Sequence, residues 1–143
     1  MKIKNVKIHL KKIIKNKNGK ILKYISKKDK LVKNFGEVYF NYINKGKTKG
    51  WNIHKINKCF IICLHGEILV HLIDHRKLSK SFDQELKIKL NSINGKLLEI
   101  PPKVYFSLYA KKKNSIMCNF LEIPHKKSES LKVTKVKNYL IKN

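Results

Sequence analysis

The sequence predicts an all-β domain, and three observations support this fold class. Apolar residues mostly recur at every second position or in short runs, which is typical of strands. Glycine pairs such as Asn18-Gly19, His65-Gly66 and Asn94-Gly95 separate these segments where tight turns need a positive φ. No segment shows the longer period of a long amphipathic helix. Many short strands joined by turns indicate a sandwich or a barrel.

Ten segments are predicted as strands, and a lysine-rich tail follows them. In chain order the predicted strands are 6–10, 21–25, 36–43, 50–54, 58–64, 68–74, 85–90, 96–100, 105–109 and 116–121. The tail, 126–143, has weak apolar spacing that fits an edge strand, a short helix or frayed chain. A chain of 143 residues has the length of one domain, so we expect a single domain over 1–143.

The formal net charge of +25 raises the question of nucleic-acid binding. All but one of the 34 basic residues are lysine, the exception being Arg76, whereas specific recognition of bases and phosphates favours arginine. The lysines also lie along almost the whole chain instead of on one element. We therefore interpret the charge as compositional bias, and nucleic acid is an unlikely partner.

The cysteines and the N-terminal segment indicate a cytoplasmic protein. Cys59, Cys63 and Cys118 are odd in number and show no zinc-ligand spacing, so they are expected to be reduced thiols. Charges interrupt every apolar stretch near the N-terminus, so neither a signal peptide nor a membrane span is predicted.

The second half of the chain resembles the cupin superfamily, whose two motifs supply a metal with histidine and glutamate ligands. The first three ligand positions correspond to Asn52, His54 and Lys58, and the last corresponds to Phe106. One imidazole beside an ammonium group cannot hold a divalent ion, which needs about three or four good donors. The resemblance therefore predicts a cupin-type double-stranded β-helix, or jelly roll, without a metal or any other cofactor.

Several ordered motifs carry a more specific resemblance. Residues 74–82, DHRKLSKSF, fit the pattern D-x-R-x-x-S-x-x-F, and residues 98–102, LEIPP, fit L-x-I-P-P. Residues 35–40, FGEVYF, are followed by Lys49-Gly50 in the place of an R-G pair. Together these motifs resemble the dTDP-4-dehydrorhamnose 3,5-epimerase family and the related sugar-nucleotide 3,4-ketoisomerases, in which the R-G pair precedes the catalytic strand. This resemblance covers roughly residues 6–130 and implies a metal-free enzyme that acts on a nucleotide-linked sugar.

The same resemblance assigns provisional catalytic residues. The epimerase base in R-G-x-H falls on Asn52, which cannot accept a proton, whereas the second histidine of the ketoisomerase pattern R-G-x-H-x-H corresponds to His54. His54 lies two positions after Asn52, so both side chains should point to one face of a strand. The tyrosine that acts as the general acid in the family aligns with Asn119. The aspartate that orients the base belongs to a C-terminal segment that this shorter chain is expected to lack.

The resemblance also suggests residues for substrate binding. Lys49, Lys58 and Arg76 would face the diphosphate, and Trp51 or Tyr105 would line the pocket. Each prediction has a structural alternative. Lys58 could be an ordinary solvated lysine, and Arg76 could pair with acidic neighbours.

His54 could likewise be a packed barrel histidine, and His125, in a segment ending I-P-H, could be structural or lie at the rim of the pocket. Phe35, Tyr39 and Tyr42 are expected in the core or on a dimer face.

Three functions follow from these residues. The first is an epimerase or isomerase that removes a proton beside the ketone of a 4-keto sugar nucleotide, with His54 as base and Asn52 and Asn119 as hydrogen-bond donors. The second is a catalytically inactive cupin that binds a nucleotide-diphosphate sugar, and the third is a charge-driven nucleic-acid binder. Related jelly rolls pair through edge strands, so we expect a homodimer and no membrane partner.

Overall fold

The computed structural model describes residues 2–137 and 139–140, and almost all of its regular structure is antiparallel β. The fourteen strands are β1 Lys7–Leu10, β2 Ile13–Asn16, β3 Gly19–Leu22, β4 Glu37–Ile43, β5 Thr48–His54, β6 Cys59–His65, β7 Glu67–Asp74, β8 Glu85–Asn91, β9 Lys96–Ile100, β10 Val104–Tyr109, β11 Ser115–Leu121, β12 Ser130–Lys132, β13 Lys135–Val136 and β14 Tyr139–Leu140. A short 3-10 helix, Lys27–Asp29, precedes β4.

Ten strands form two five-stranded sheets, in the orders β1-β9-β6-β11-β4 and β12-β5-β10-β7-β8. Side chains from both sheets share one buried cluster that includes Ile61, Leu72 and Leu98, each with no exposed surface. Burying such a side chain contributes about 1.5–3 kcal/mol, so this shared core holds the sheets face to face. The predicted all-β fold is confirmed.

The two faces of β4 differ because its residues alternate between the interior and the outside. Val38, Phe40 and Tyr42 are exposed on the outer face, while Tyr39 and Asn41 point the other way and are half-buried. β4 pairs with β11 along its whole length, and no further described strand pairs with its other edge. The inner residues of this edge strand are therefore available to line a site.

The strand predicted over 21–25 ends earlier in the structure. β3 stops at Leu22 and pairs with β2, a strand that the sequence pattern did not predict. Tyr24 and Ile25 instead pack on the outer face of β6 and β11, where the Tyr24 hydroxyl donates to the carbonyl of Phe60. The apolar spacing in this segment reflects this covering role and not pairing in a ladder.

The tail contributes an edge strand, which is one of the three predicted alternatives. β12 pairs with β5, so that Ser130 lies opposite His54 and Lys132 lies opposite Asn52. Farther on, β13 and β14 form a small hairpin. Residues 138 and 141–143 of the predicted tail lie outside the described residues. None of the described residues forms a helix with the length and hydropathy needed to span a bilayer.

Candidate active site

A cavity of about 210 Å³ opens between β4 and β11 of one sheet and β5, β10 and β12 of the other. It combines amides, imidazoles and lysines with a few apolar side chains. The lining residues are Tyr39, Asn41, Lys49, Gly50, Asn52, His54, Phe106, Leu108, Met117, Asn119, His125, Ser130 and Lys132. Of the predicted site residues, His54, Asn52, Asn119 and Lys49 meet here.

His54 is held in place by a buried carboxylate. Nδ1 of His54 lies 2.7 Å from Oε2 of Glu129, and the two residues are only 5% and 6% exposed. The other oxygen of Glu129, Oε1, accepts hydrogen bonds from the backbone N–H groups of Asn57 and Ile56 at 2.8 and 3.2 Å. Because both oxygens are engaged, the carboxylate is fixed and in turn fixes the imidazole.

Hydrogen bonding keeps Glu129 in its charged form. Burial alone would raise the pKa of this carboxyl, but the hydrogen bonds from His54 and from the Asn57 backbone outweigh burial and lower the pKa. A carboxylate on Nδ1 holds the proton at that nitrogen and leaves Nε2 as the basic atom. Nε2 of His54 has no hydrogen-bond partner among the described residues. The imidazole ring stacks on Phe106, with ring centroids 6.1 Å apart.

A second polar pair lies on the facing sheet. Tyr39 and Asn119 are directly opposite each other on β4 and β11, and Nδ2 of Asn119 donates to the Tyr39 hydroxyl over 2.5 Å. Burial raises the pKa of Tyr39 to about 12, so the phenol keeps its proton at neutral pH. Because the phenol oxygen accepts from the amide, its O–H remains a donor for a bound molecule.

Asn119 itself is almost completely enclosed. Only 1% of its surface is exposed, and its Oδ1 has no hydrogen-bond partner among the described residues. A buried amide oxygen without a partner costs about 1–3 kcal/mol, and such atoms call for a functional explanation. The amide nitrogen of Asn119 positions the Tyr39 hydroxyl, while its amide oxygen has no partner among the described residues.

Gly50 forms part of the cavity wall where no side chain fits. Its φ of +111° disfavours other residues, and a Cβ atom would come within 2.7 Å of the Phe106 carbonyl oxygen. Lys49, immediately before it, donates from Nζ to Oδ1 of Asn41 at 3.2 Å and brings a positive charge to the cavity. The Lys-Gly pair of the motif thus provides a charge and the space beside it.

Trp51 and Tyr105 do not line this cavity, which corrects their prediction as pocket residues. Trp51 is 2% exposed and packs edge-on against His71, with ring centroids 4.9 Å apart. It points away because it alternates with its neighbours Gly50 and Asn52, which do line the cavity. Tyr105 alternates with Phe106 in the same way and contacts His75.

Lys58 and Arg76 lie in a different groove, so the expectation that they join His54 at the substrate is also corrected. This groove, of about 660 Å³, is lined by both residues together with Lys7, Lys55 and Lys103. Arg76 is bound by the carboxylate of Asp74 through Nε and one terminal nitrogen, at 2.7 and 2.8 Å. Arg76 therefore follows its structural alternative, in which it pairs with an acidic neighbour.

The cupin ligand positions do not converge. Asn52 and Phe106 reach the cavity, whereas the ammonium of Lys58 lies 3.6 Å from Glu99 in the other groove. An amide, one imidazole and a phenyl ring cannot hold a divalent ion at that place.

Three residues of this site escaped the sequence analysis. Glu129 holds His54, although the chain was expected to lack a carboxylate in that role, and Tyr39 and Lys132 line the cavity. His125 also lines the cavity, which is one of its two predicted alternatives. The alternation of β4 could have separated Tyr39 from the exposed Phe40 and Tyr42. The position of Glu129 follows from the pairing of β12 with β5, and no local pattern in a lysine-rich tail indicates that pairing.

Comparisons with known proteins identify the family and the fold. The family model described as FdtA, WxcM-like, C-terminal matches residues 4–139. The chain belongs to this family. Among curated proteins, no sequence matches the chain.

Solved structures share the fold over most of their length. A dTDP sugar isomerase from Desulfovibrio desulfuricans G20 is 25% identical, with a TM-score of 0.88 over 92% of this chain and 85% of that one. The dTDP-4-dehydrorhamnose 3,5-epimerase of Bacillus anthracis is 17% identical, with a TM-score of 0.85 over 97% of this chain and 87% of that one. The Legionella pneumophila epimerase, in complex with dTDP-4-keto-L-rhamnose, is 18% identical, with a TM-score of 0.84 over 93% and 74%. The family resemblance predicted from the motifs is confirmed.

Proposed function

We propose that this protein isomerises a nucleotide-linked keto sugar, with His54 as the base that removes a proton beside the ketone. The observation that carries the proposal is the His54–Glu129 pair, which is buried and opens on a polar cavity. A carboxylate on Nδ1 orients the imidazole and stabilises the imidazolium that forms on proton transfer. A histidine that served only for packing would not require a polar cavity beside it.

The proposed reaction removes one proton and returns one, and the proton held on His54 exchanges with solvent water before the return. The C–H bond beside the ketone breaks, its proton goes to Nε2 of His54, and the electron pair forms an enolate. The O–H of Tyr39 donates to the enolate oxygen, while the Asn119 amide holds the phenol in place. Return of a proton to the former ketone carbon, with transfer of the hydroxyl proton of the deprotonated carbon to the enolate oxygen, gives the isomeric ketone, and return to the deprotonated carbon on its other face gives the epimer.

We favour isomerisation because, among the described residues of the cavity, His54 is the histidine that a buried carboxylate holds in place. Epimerisation delivers a proton to the opposite face of the carbon and needs an acid there, and the aligned family tyrosine is Asn119 in this chain. A base that removes and returns a proton on one face is sufficient for transfer between neighbouring carbons.

The proposed substrate carries a nucleoside diphosphate. Lys49 and Lys132 are the cationic side chains of the cavity, and they suit the negative charge of the two phosphates. Two solved structures in the comparison contain dTDP or a dTDP-linked sugar, which supports the same ligand class. The cytoplasmic location predicted from the sequence agrees with an activated sugar as substrate.

A homodimer is also part of the proposal. The outer face of β4 exposes Val38, Phe40 and Tyr42 at 41%, 55% and 67%, and Phe35 beside it is 75% exposed. Apolar side chains of this size in one patch on an edge strand are typical of an interface between subunits.

Solvent exchange tests the proposed chemistry. The protein is incubated in D₂O with a dTDP-linked 4-keto-6-deoxy sugar, and NMR follows deuterium at the carbons beside the ketone. The proposal predicts one deuterium and conversion to a new keto sugar. Saturable binding without exchange would contradict it and would favour the alternative of a binding protein without catalysis.

A further inference from the structure

The cavity contains a cluster of three possible metal ligands, only one of which, His54, occupies a cupin ligand position. His54, His125 and Glu129 can each present one ligand atom, and these three atoms lie within 4.8 Å of one another. Among the described residues no other group of three histidine, cysteine or acidic side chains meets this condition. Within the part of the chain that the structure describes, neither of the histidine–carboxylate contacts His9–Glu99 and His71–Glu85 belongs to such a group of three.

From this cluster we propose that His54, His125 and Glu129 bind a divalent transition-metal ion of the Zn²⁺ type, and that the ion inhibits the enzyme by occupying its base. The inhibitory consequence rests on the proposed function, whereas metal binding does not.

The donor set suits zinc and not the hard cations. Two imidazoles and one carboxylate form a common three-ligand zinc site with a fourth position open, whereas Ca²⁺ and Mg²⁺ prefer oxygen ligands. Zinc binds these atoms at about 2.0–2.2 Å, so neighbouring ligands lie roughly 3.4 Å apart around a tetrahedral ion. A separation as wide as 4.8 Å, the upper limit within the cluster, therefore has to shorten by an ångström or so.

His125 is the ligand that can make this movement. It is exposed, and its ring has only long contacts of 3.4 Å with Ser130. Its backbone N–H, by contrast, is fixed by a hydrogen bond to Glu37. The ring can therefore turn toward His54, whose centroid is 6.3 Å away, while the chain stays in place.

A metal ion at this place would block the base whichever nitrogen it uses. An ion on Nε2 of His54 takes the lone pair that would accept the substrate proton. An ion on Nδ1 replaces the proton between His54 and Glu129 and so removes the hydrogen bond that fixes the imidazole.

The nearby lysines limit the strength of binding. Lys49 and Lys132 line the same cavity and repel a cation. We also expect metal and nucleotide sugar to exclude each other, because the sugar takes the space at His54 that the ion needs.

Binding of the metal alone tests the proposal directly. The purified full chain, free of substrate, is titrated with Zn²⁺ by calorimetry and with Co²⁺ by visible absorption. We expect one ion per chain and the intense Co²⁺ bands of a low-coordinate site. His125→Ala should weaken binding by at least about tenfold, and His65→Ala, which removes an exposed histidine outside the cluster, should leave it unchanged.

A second measurement uses the exchange reaction. Zn²⁺ should slow deuterium exchange by the wild-type protein, a chelator should restore it, and His125→Ala should lose sensitivity relative to its own metal-free rate. Zn²⁺ binding that is absent, or equally strong in His125→Ala, would overturn the metal site. Exchange by the chelated wild-type protein tests the proposed function separately, so the two failures are distinguishable.

Discussion

Two buried carboxylates, Asp74 and Glu129, are surrounded in different ways. Asp74 accepts hydrogen bonds from Arg76, Ser79 and Ser81, and every one of these partners lies within its own strand end and the following loop. Glu129 lies in the tail and bonds to His54, which is 75 positions earlier in the chain. The first cluster closes on itself, whereas the second holds an imidazole against a cavity.

This difference explains why the most distinctive motif is structural. The aspartate, arginine and serine of D-x-R-x-x-S are Asp74, Arg76 and Ser79, and they bond to one another in the structure. A terminal nitrogen of Arg76 also donates to the carbonyl of Lys4, which fastens the N-terminal segment. The motif is therefore explained by the loop that it holds together, and none of its residues lines the cavity of His54.

The largest expected effect is on the His54–Glu129 pair. Glu129→Gln should lower kcat by about 10²–10⁴ and leave KM nearly unchanged, because the imidazole loses its orientation and its charge partner. The matched control is Glu85→Gln, which disturbs the His71–Glu85 contact outside the cavity. An equal loss in both variants, measured by steady-state kinetics, would show that any histidine–carboxylate pair matters only for folding.

Tyr39→Phe should reduce the rate by about 10², since the enolate oxygen loses its donor. Tyr42→Phe, on the exposed face of the same strand, serves as control and should retain the wild-type rate. Initial rates of isomerisation decide the outcome, and full activity of Tyr39→Phe would remove the phenol from the proposed mechanism.

Asp74→Asn should destabilise the protein by about 2 kcal/mol at pH 7 and leave the metal-free exchange rate unaltered. Burial alone would raise the pKa of Asp74, but hydrogen bonds from Arg76, Ser81 and Ser79 outweigh it and lower the pKa to about 2, against an ordinary value of 3.8. Each pKa unit corresponds to about 1.4 kcal/mol.

The sign of this effect follows from the lowered pKa in the folded state. The stabilisation is complete above about pH 4 and is lost as the pH falls from 4 toward 2. Denaturant unfolding of both proteins at several pH values measures it. A gap in stability that stays constant down to pH 2 would contradict the assignment.

The smallest effect separates the cavity from the second groove. Lys49→Ala should raise KM about tenfold, because a charge-assisted contact is worth about 1.5–3 kcal/mol. Lys58→Ala, in the groove beside Arg76, should change KM little. The opposite result would place the diphosphate in that groove, as the motif comparison predicted.

The sequence predicted most of the fold and half of the site. Nine of the ten predicted strands correspond to observed strands within two residues at either end, because alternation and turn glycines are local signals. His54 and Asn52 were found from the resemblance of the segment after Lys49-Gly50 to the family motif, and alternation placed both on one face of β5. Glu129 and Tyr39 were missed because strand pairing across the fold, and no nearby residue, brings them to His54.

Two residues were predicted to bind phosphate at the site of His54, but the structure places them in another groove. Lys58 and Arg76 stand at the right distance from the motifs, but sequence spacing does not fix which side of a loop a long side chain takes. Arg76 was also the single arginine, and its partner Asp74 lay two residues away. That spacing is sufficient for a closed structural pair.

The base assignment is tested most directly by deuterium exchange with His54→Asn, an amide that fills similar space but accepts no proton. At saturating substrate, the exchange rate at the carbon beside the ketone should fall at least about 10²-fold relative to the wild type, while binding of the nucleotide sugar persists. Exchange at the wild-type rate in His54→Asn would contradict the account, because the proton would then be removed by a different group.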